Sequence, residues 1–408
     1  MTSIADKYKK LEGREHVLAR PGMYIGSIEK DACETWVAKG TQLERRKIDY
    51  IAGLYKIFDE ILVNAVDHYV RLKKDPTKPP VKNIKVRIDK EMGEITIWND
   101  GEGIEAVKHP EYDIYVPELI FGHLLTSSNY DDTEERTIGG QNGIGAKACN
   151  IYSDYFELET VDSTRKLVYK QRFEKNMSVI GKPTLSKYGR KPYTSIRFKP
   201  DYTKFGLTGL SEDLHDMMVK RVFDVCAVTE SDVAVYLNDT KLEYKNFEGY
   251  ANLYLGKNPR VHEKINDRWE VIASYNQFNG FEQVSFVNGV WTIRGGKHVD
   301  YIANQITKKL IEMISKKRKD ITIKPQVVKD NMILFLKSTI VNPSFDSQSK
   351  ETLTTPVSKF GSKGEVSDKF IEKLYKTGIV DKICEISMAG QESALKKTDG
   401  KKRDVIRG

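Results

Sequence analysis

No apolar run in this chain approaches the roughly 18–20 residues that cross a bilayer, and the N-terminus carries no basic, apolar and small-residue series. These absences argue against a membrane span and a secretory leader, and lead to the expectation of an intracellular protein. Cysteine is scarce: Cys33, Cys149, Cys226 and Cys384 lie far apart, with no CxxC and no histidine pair nearby. That spacing excludes a disulfide framework and a cysteine-based zinc site, so the thiols read as buried or incidental. Internal repeats and low-complexity tracts are missing too, which removes solenoids and disordered arrays from consideration.

Neither sign of charge dominates. The 66 Lys and Arg face 58 Asp and Glu, a formal excess of +8, which supports an acidic partner only where basic groups cluster. They do so in "KKLIEMISKKRKD", ending on Lys316, Lys317, Arg318 and Lys319, and in the C-terminal "ALKKTDGKKRDVIRG". Each cluster reads either as a solvated helix end or tail, or as a phosphate-contacting patch. With 408 residues, 39% of them apolar and 30% charged, the chain is globular and too long for one ordinary core, so two or three domains are expected.

The first unit opens on patterned elements. In "YIAGLYKIFDEILVNAVDHYVRL" the residues Leu54, Ile57, Phe58, Ile61, Leu62, Ala65 and Val66 recur at helical spacing. Two polar residues interrupt that helix, Glu60 and Asn64, four apart and hence neighbours on one face. "IKVRIDKEMGEITIWNDGEGI" alternates through Ile84, Val86 and Ile88, turns at Glu91 to Glu94, and alternates again through Ile95 and Ile97. It predicts a hairpin whose second strand runs into a polar, glycine-rich end at Asn99 to Gly103. "YFELETVDSTRKLVYKQRFE" predicts another hairpin. A helix, hairpins and a glycine loop make an α+β layer, not the strict alternation of a doubly wound sheet.

A second unit begins near residue 240. "FEQVSFVNGVW" predicts a strand, and Val299, Ile302, Ile306, Leu310 and Met313 mark a helix ending in the first basic cluster. "NMILFLKSTIV" is then a buried strand, completing a β-α-β crossover. The polar loop "NPSFDSQSKETLTT" follows, and residues 366–396 read as helical.

The stretch "TIGGQNGIGAKACN", Thr137 to Asn150, is the most unusual feature: four glycines in seven positions, then Lys147. Such density means close approach to the main chain or several positive φ angles. A Walker loop would need Ser or Thr after the lysine, where Ala148 stands. A dinucleotide fingerprint would need a strand directly before it, where the polar loop "DDTEERTIGG" stands, and neither HRD nor DFG of a protein kinase occurs. A glycine loop leading into the apolar helix "GAKACNIY" remains, able to hold phosphates on free amides and a positive dipole end, or to serve as a turn alone. Glu60, Asn64 and "NDGEGI" then supply a carboxylate for a water, a carboxamide for magnesium and a polar floor for a base.

The order "EILVNAVDH", "NDGEGI", "LLTSSNYDD", "GGQNGIGAK" resembles the GHKL ATPases, the group of gyrase, the heat-shock chaperone, histidine kinases and MutL. "RPGMYIGS", "IFDEILVNA", "YVPELIFGHLLTSSNYDD" and "DSQSKETLTT" are similar to the N-terminal ATPase region of eukaryotic-type DNA topoisomerase II, over about residues 6 to 400. The resemblance implies a GHKL (Bergerat) sandwich followed by a ribosomal-S5-domain-2-like transducer: an N-terminal arm at 1–28, an ATP-binding domain at 29–242 and a transducer at 243–408.

It also implies roles. Glu60 matches the general base or water-orienting carboxylate of ATP hydrolysis, and Asn64 the magnesium ligand. Asn99 stands where most of the superfamily has an aspartate that reads the adenine amino group. Ser127, Ser128 and Asn129 match ribose and phosphate contacts. Gly140, Gln141, Asn142, Gly143, Ile144, Gly145, Ala146 and Lys147 match the lid over the phosphates. Gln348, Ser349 and Lys350 match the transducer loop, with Lys350 reaching the γ-phosphate, and Tyr8 matches a tyrosine that reaches the partner subunit's nucleotide. Lys316, Lys317 and Arg318 lie near the family's DNA-facing basic cluster, in a loop shorter than usual.

The expectation is an ATP- and magnesium-dependent clamp belonging to an ATP-hydrolysing DNA topoisomerase. It would form a homodimer on ATP binding, capture duplex DNA, and reside in the nucleus of a eukaryote or the host cell or virion of a virus. No "EGDSA"-like segment or cleavage tyrosine context occurs, so the chain reads as one piece of a larger enzyme that does not cut DNA alone. A GHKL chaperone or mismatch-repair clamp, and a non-catalytic nucleic-acid-binding module, are the alternatives.

Overall fold

The computed structural model describes residues 10–11, 13–124, 126, 135–140, 143–189, 191–244, 246–278 and 280–399. The chain forms two compact units, Met1–Tyr254 with Asp346–Lys350, and Leu255–Phe345 with Glu351–Gly408.

The first unit runs α1 (Gly13–Ala19), α2 (Pro21–Tyr24), β1 (Asp31–Lys39), β2 (Gln42–Tyr50), α3 (Ala52–Lys73), β3 (Asn83–Asp89), β4 (Glu94–Asp100), α4 (Val116–Gly122) and α5 (Gly145–Ile151). It continues through β5 (Ser153–Asp162), β6 (Leu167–Glu174), β7 (Val179–Ile180), β8 (Thr184–Lys187), β9 (Tyr193–Pro200), α6 (Glu212–Val228), β10 (Ala234–Leu237), β11 (Thr240–Lys241) and α7 (Phe247–Leu255). Its main sheet has the order β11-β10-β3-β4-β9-β5-β6-β7, with β8 also on β6.

Both predicted hairpins are present. β3 pairs antiparallel with β4 from Ile84↔Asn99 to Asp89↔Glu94, and β5 with β6 from Tyr155↔Glu174 to Asp162↔Leu167. Alternation sets the faces: Ile84, Val86, Ile88, Ile95, Ile97, Phe156, Leu158 and Phe198 are buried, whereas Lys85 and Arg87 between them are exposed.

The apolar side of that sheet is covered by helices. The apolar positions expected on α3 are at most 3% exposed, each worth about 1.5–3 kcal/mol of transfer free energy for a full-sized aliphatic or aromatic side chain. α3 has no side-chain N-cap; the Ser27 carbonyl takes the orphan Gly53 amide at 2.7 Å instead. Behind α3, Arg221 of α6 donates through Nε to Asp59 Oδ1 at 2.6 Å, and Lys220 pairs with Asp224 at 2.8 Å. Breaking such a buried pair costs several kcal/mol; the Lys220–Asp224 pair lies within α6, and the Arg221–Asp59 pair is the one that joins α6 to α3 and fixes its azimuth.

The second unit contains β12 (Arg260–Asn266), β13 (Trp269–Tyr275), β14 (Glu282–Val287), β15 (Val290–Trp291), α8 (Lys297–Lys317), α9 (Pro325–Asp330), β16 (Met332–Ser338), α10 (Asp368–Tyr375) and α11 (Ile379–Asp399). The sheet order is β12-β13-β16-β14-β15, and β14 runs parallel to β16, the register that the crossover through α8 requires. Three details differ from the sequence expectation. "FEQVSFVNGVW" is a hairpin, because Asn288 (φ 50°) and Gly289 (φ 78°) form a tight turn in which both residues take positive φ. On α8 Met313 is only partly buried and Ile314 takes the core position, as the 3.6-residue period demands at that end. The C-terminal helical segment is broken at Gly378 (φ 89°) into α10 and α11.

The division between units falls after Tyr254, not at 242, because α7 packs into the first unit: Tyr250, fully buried, donates to Asp224 Oδ1 at 2.6 Å. Among the described residues no helix is long and apolar enough to cross a membrane.

Candidate functional site

Polar side chains on one face of α3 organise the site. Lys56, Glu60, Asn64 and Asp67 follow one another at helical spacing, and all but the half-buried Asn64 are buried. Lys56 Nζ is ion-paired to Glu60 Oε1. Lys350 Nζ lies 3.4 Å from the same oxygen. The other oxygen, Oε2, faces the start of α5, where a methyl group on Gly145 would overlap it outright. One carboxylate oxygen is therefore held by two ammonium groups and the other is aimed at the N-terminal turn of the loop helix. Burial works against the Glu60 charge, yet Lys350 and Lys56 outweigh it and hold the carboxyl at about 2. Burial lowers Lys56 despite its carboxylate neighbour.

Lys350 arrives on a tight turn. Its backbone sits at φ 58°, an uncommon left-handed conformation for lysine, and its amide donates to Ser347 O at 3.1 Å. Its ammonium also donates to the Gly139 carbonyl at 2.9 Å. Ser349 Oγ lies 2.8 Å from Ser347 Oγ, and Gln348 is exposed.

The glycine loop is held at two points. Gly139 and Gly140 donate their amides to Asp67 at 2.8 and 2.7 Å, so neither is free for a ligand in this arrangement. Lys147 is 2% exposed and donates to two carbonyls, Thr126 O and Gly143 O, both at 2.6 Å. No carboxylate pairs with it among the described residues, and burial pulls its ammonium down to about 8. A buried cation answered only by carbonyl dipoles favours a negative charge beside it. Gly143 (φ 63°) makes the turn into α5, with Ile144, Gly145 and Ala146 at the helix start. Tyr8, Ser127, Ser128, Asn129, Gln141 and Asn142 lie outside the described residues.

The floor comes from the end of β4. Asn99 is 6% exposed; its Nδ2 donates to Asp100 O at 2.8 Å and Oδ1 has no partner among the described residues. The Asp100 carboxylate is structural, accepting from the Lys82 and Asn83 amides at 2.7 and 2.8 Å. Gly103 is bare because a methyl group would strike the Val161 carbonyl, so this glycine serves close packing on β5 and not a ligand. His68 Nε2 lies 2.6 Å from the Glu102 carbonyl; burial lowers the ring to about 4, so it is neutral and donates, tying the floor to α3.

Asn64 has no hydrogen-bond partner among the described residues, which leaves its amide oxygen available to a hard cation. No group of three or more His, Cys, Asp or Glu could hold a metal among the described residues.

Lys316, Lys317 and Arg318 lie in the second unit at the end of α8. Arg318 pairs with Asp320 at 3.0 Å, Lys317 Nζ stands 4.2 Å from the Tyr375 ring centroid, and Lys316 is exposed without an ion pair among the described residues. Sequence patterning missed Lys56, Asp67 and His68, although their spacing from Glu60 and Asn64 was a signal that they share the polar face.

A family model described as histidine kinase-, DNA gyrase B- and HSP90-like ATPase matches residues 50–200, and one described as DNA gyrase B matches 230–403. DNA topoisomerase 2 of Candida albicans is 44% identical over 433 residues, covering 100% of this chain; the chain spans only 29% of that protein's length. The crystal structure of the ATPase region of Saccharomyces cerevisiae topoisomerase II superposes with a TM-score of 0.87 at 43% identity, over 94% of this chain and 99% of that one. The ATPase and transducer domains of DNA topoisomerase II from Balamuthia mandrillaris give a TM-score of 0.88 at 40% identity, over 96% and 100%. Agreement that runs through both units and across the whole of each solved region means that the chain belongs to the family of type II DNA topoisomerase ATPase regions, a GHKL ATPase domain followed by a gyrase B-like transducer.

Proposed function

We propose that this chain binds ATP with magnesium in the first unit and hydrolyses it. The observation that carries the reading is the convergence on Glu60, with Lys350 on one carboxylate oxygen and the bare Gly145 at the head of α5 against the other. Glu60, ionised throughout the working pH range because its carboxyl titrates near 2, orients the attacking water and accepts a hydrogen bond from it; it is too weak a base to hold the proton. Lys147 and the amides from Gly143 onward face the phosphates. Lys350 follows the terminal phosphate: an anion there competes with Glu60 for its ammonium. Asn99 offers Oδ1 to the adenine amino group.

Asn64 Oδ1 would hold the magnesium ion, whose remaining ligands would come from phosphates and water and whose charge would offset theirs. As part of a longer topoisomerase, the chain would form a homodimer on binding ATP and act on duplex DNA, with Lys316 and Lys319, both exposed and without an ion pair among the described residues, left to contact phosphate.

Glu60→Gln tests the reading while preserving shape. Phosphate release falls by about 10²–10⁴-fold, while affinity for a non-hydrolysable analogue stays within about 3-fold. Wild-type chain sediments as a dimer with analogue and magnesium, and duplex DNA raises its turnover. Turnover in Glu60→Gln equal to wild type would end the assignment of Glu60.

A further inference from the structure

The polar stripe on α3 does not end at Asn64. Asp67 is 4% exposed and forms no ion pair within 4.0 Å among the described residues. Its two oxygens take consecutive main-chain amides, Oδ1 that of Gly139 at 2.8 Å and Oδ2 that of Gly140 at 2.7 Å. Gly139 is gripped from both sides: its N–H lies on Asp67, and its carbonyl accepts from Lys350 Nζ at 2.9 Å. Gly140 is bare where the helix comes closest, since a methyl group there would stand 3.2 Å from Asp67 Oδ2 and 3.8 Å from Asn64 Oδ1.

We propose that Asp67 is a positioning residue for turnover: its carboxylate fixes the leading edge of the glycine loop, so that the Gly139 carbonyl stands where Lys350 reaches it. This rests on the ATP-hydrolysing reading for its consequence, and on geometry alone for the clamp. A carboxylate suits the task because both oxygens accept; an asparagine could receive one amide and would turn its own NH₂ against the other. Opening the loop strips two charge-assisted hydrogen bonds from a buried carboxylate, which resists the movement. Burial raises the Asp67 carboxyl to about 6 even against the two amides that lower it, the environment in which loss of those donors is most expensive. Asp67 touches no phosphate in this account. It acts through Gly139, and Gly139 sets the ground position of the lysine that answers to the nucleotide.

The test uses the full chain and separates the clamp from its consequence. Without nucleotide, the amides of Gly139 and Gly140 exchange with solvent hydrogen at least about 10-fold more slowly than in Asp67→Asn, the loss set by one charged hydrogen bond. With ATP, Asp67→Asn lowers kcat about 10-fold while affinity for the non-hydrolysable analogue moves less than about 3-fold. In a Lys350→Ala background the same change alters kcat less than about 2-fold, because the group that it positions is gone. Unchanged exchange in Asp67→Asn, or losses that multiply in the double variant, would overturn the proposal. Should Asp67→Asn fail to fold, unprotected Gly139 and Gly140 amides in the wild type overturn it alone. If wild-type chain hydrolyses no ATP, the functional reading fails while the exchange result still decides the clamp.

Discussion

Lys147 shows how a single residue's surroundings set a measurable pH dependence. Burial lowers its ammonium to about 8, whereas in the unfolded chain it keeps the ordinary value near 10.4. Below pH 8 the group is already charged and anion binding draws no proton to it. Above pH 8 binding must take one up, so affinity for the ATP analogue falls by up to about 10-fold per pH unit. Stability moves the other way: between the two values the unfolded chain binds more protons, so this group's share of stability rises with pH. Calorimetric affinities at pH 7.5 and 9.5 check the sign, and Lys147→Met should lower affinity at pH 7.5 by about 10-fold or more and remove the slope. A slope that persists in Lys147→Met would place it on another group. The lysine itself was legible from the glycine-rich stretch, but its carbonyl partners were not, because Thr126 O comes from a loop with no pattern of its own.

At the scale of elements, the contact of α5 with α3 decides the site. Gly145→Ala should favour the helix by about 1 kcal/mol on propensity alone. Packing reverses that, because the added methyl overlaps Glu60 Oε2 and crowds its Cδ, and overpacking costs about 1–3 kcal/mol. We expect a lower melting temperature and at least about 100-fold slower phosphate release, as the carboxylate is pushed off its orientation. A higher melting temperature with normal turnover would mean that the two helices do not meet there. Periodicity made α3, both hairpins and the β-α-β crossover legible, since each buries one face at a fixed spacing. It did not reveal that the polar side of α3 is buried as well, because Asp59, Glu60 and Asp67 find their partners on α6, the Lys350 turn and the glycine loop, all distant in sequence. The Asn288–Gly289 turn was visible as a dipeptide and was passed over in favour of one continuous strand.

At the scale of the molecule, the chain crosses between its two units more than once. Asp346–Lys350 belongs to the first unit, while the residues on either side of it belong to the second. In the second unit Leu353 pairs with both Gly296 and Phe345, and the Glu351 carbonyl accepts from the Arg294 amide at 3.0 Å. The base of the loop that delivers Lys350 is therefore built into the second unit's backbone at Arg294 to Gly296. Gly296 has φ 130° and no room for a side chain: a methyl group would overlap the Leu353 backbone. Gly296→Ala should loosen that base, costing about 1–3 kcal/mol, and lower kcat several-fold at a temperature where the protein is still folded. Analogue affinity should change little, since most of the proposed phosphate and adenine contacts lie elsewhere. Gly289→Ala is the control, a strained turn of the same unit (φ 78°) outside the Leu353 pairing: it should cost comparable stability and leave kcat alone. Equal kcat losses in the two variants would make the effect one of general destabilisation. A loss confined to Gly296→Ala would mean that the pairing of Gly296 with Leu353 governs the position of Lys350 through the backbone that carries it.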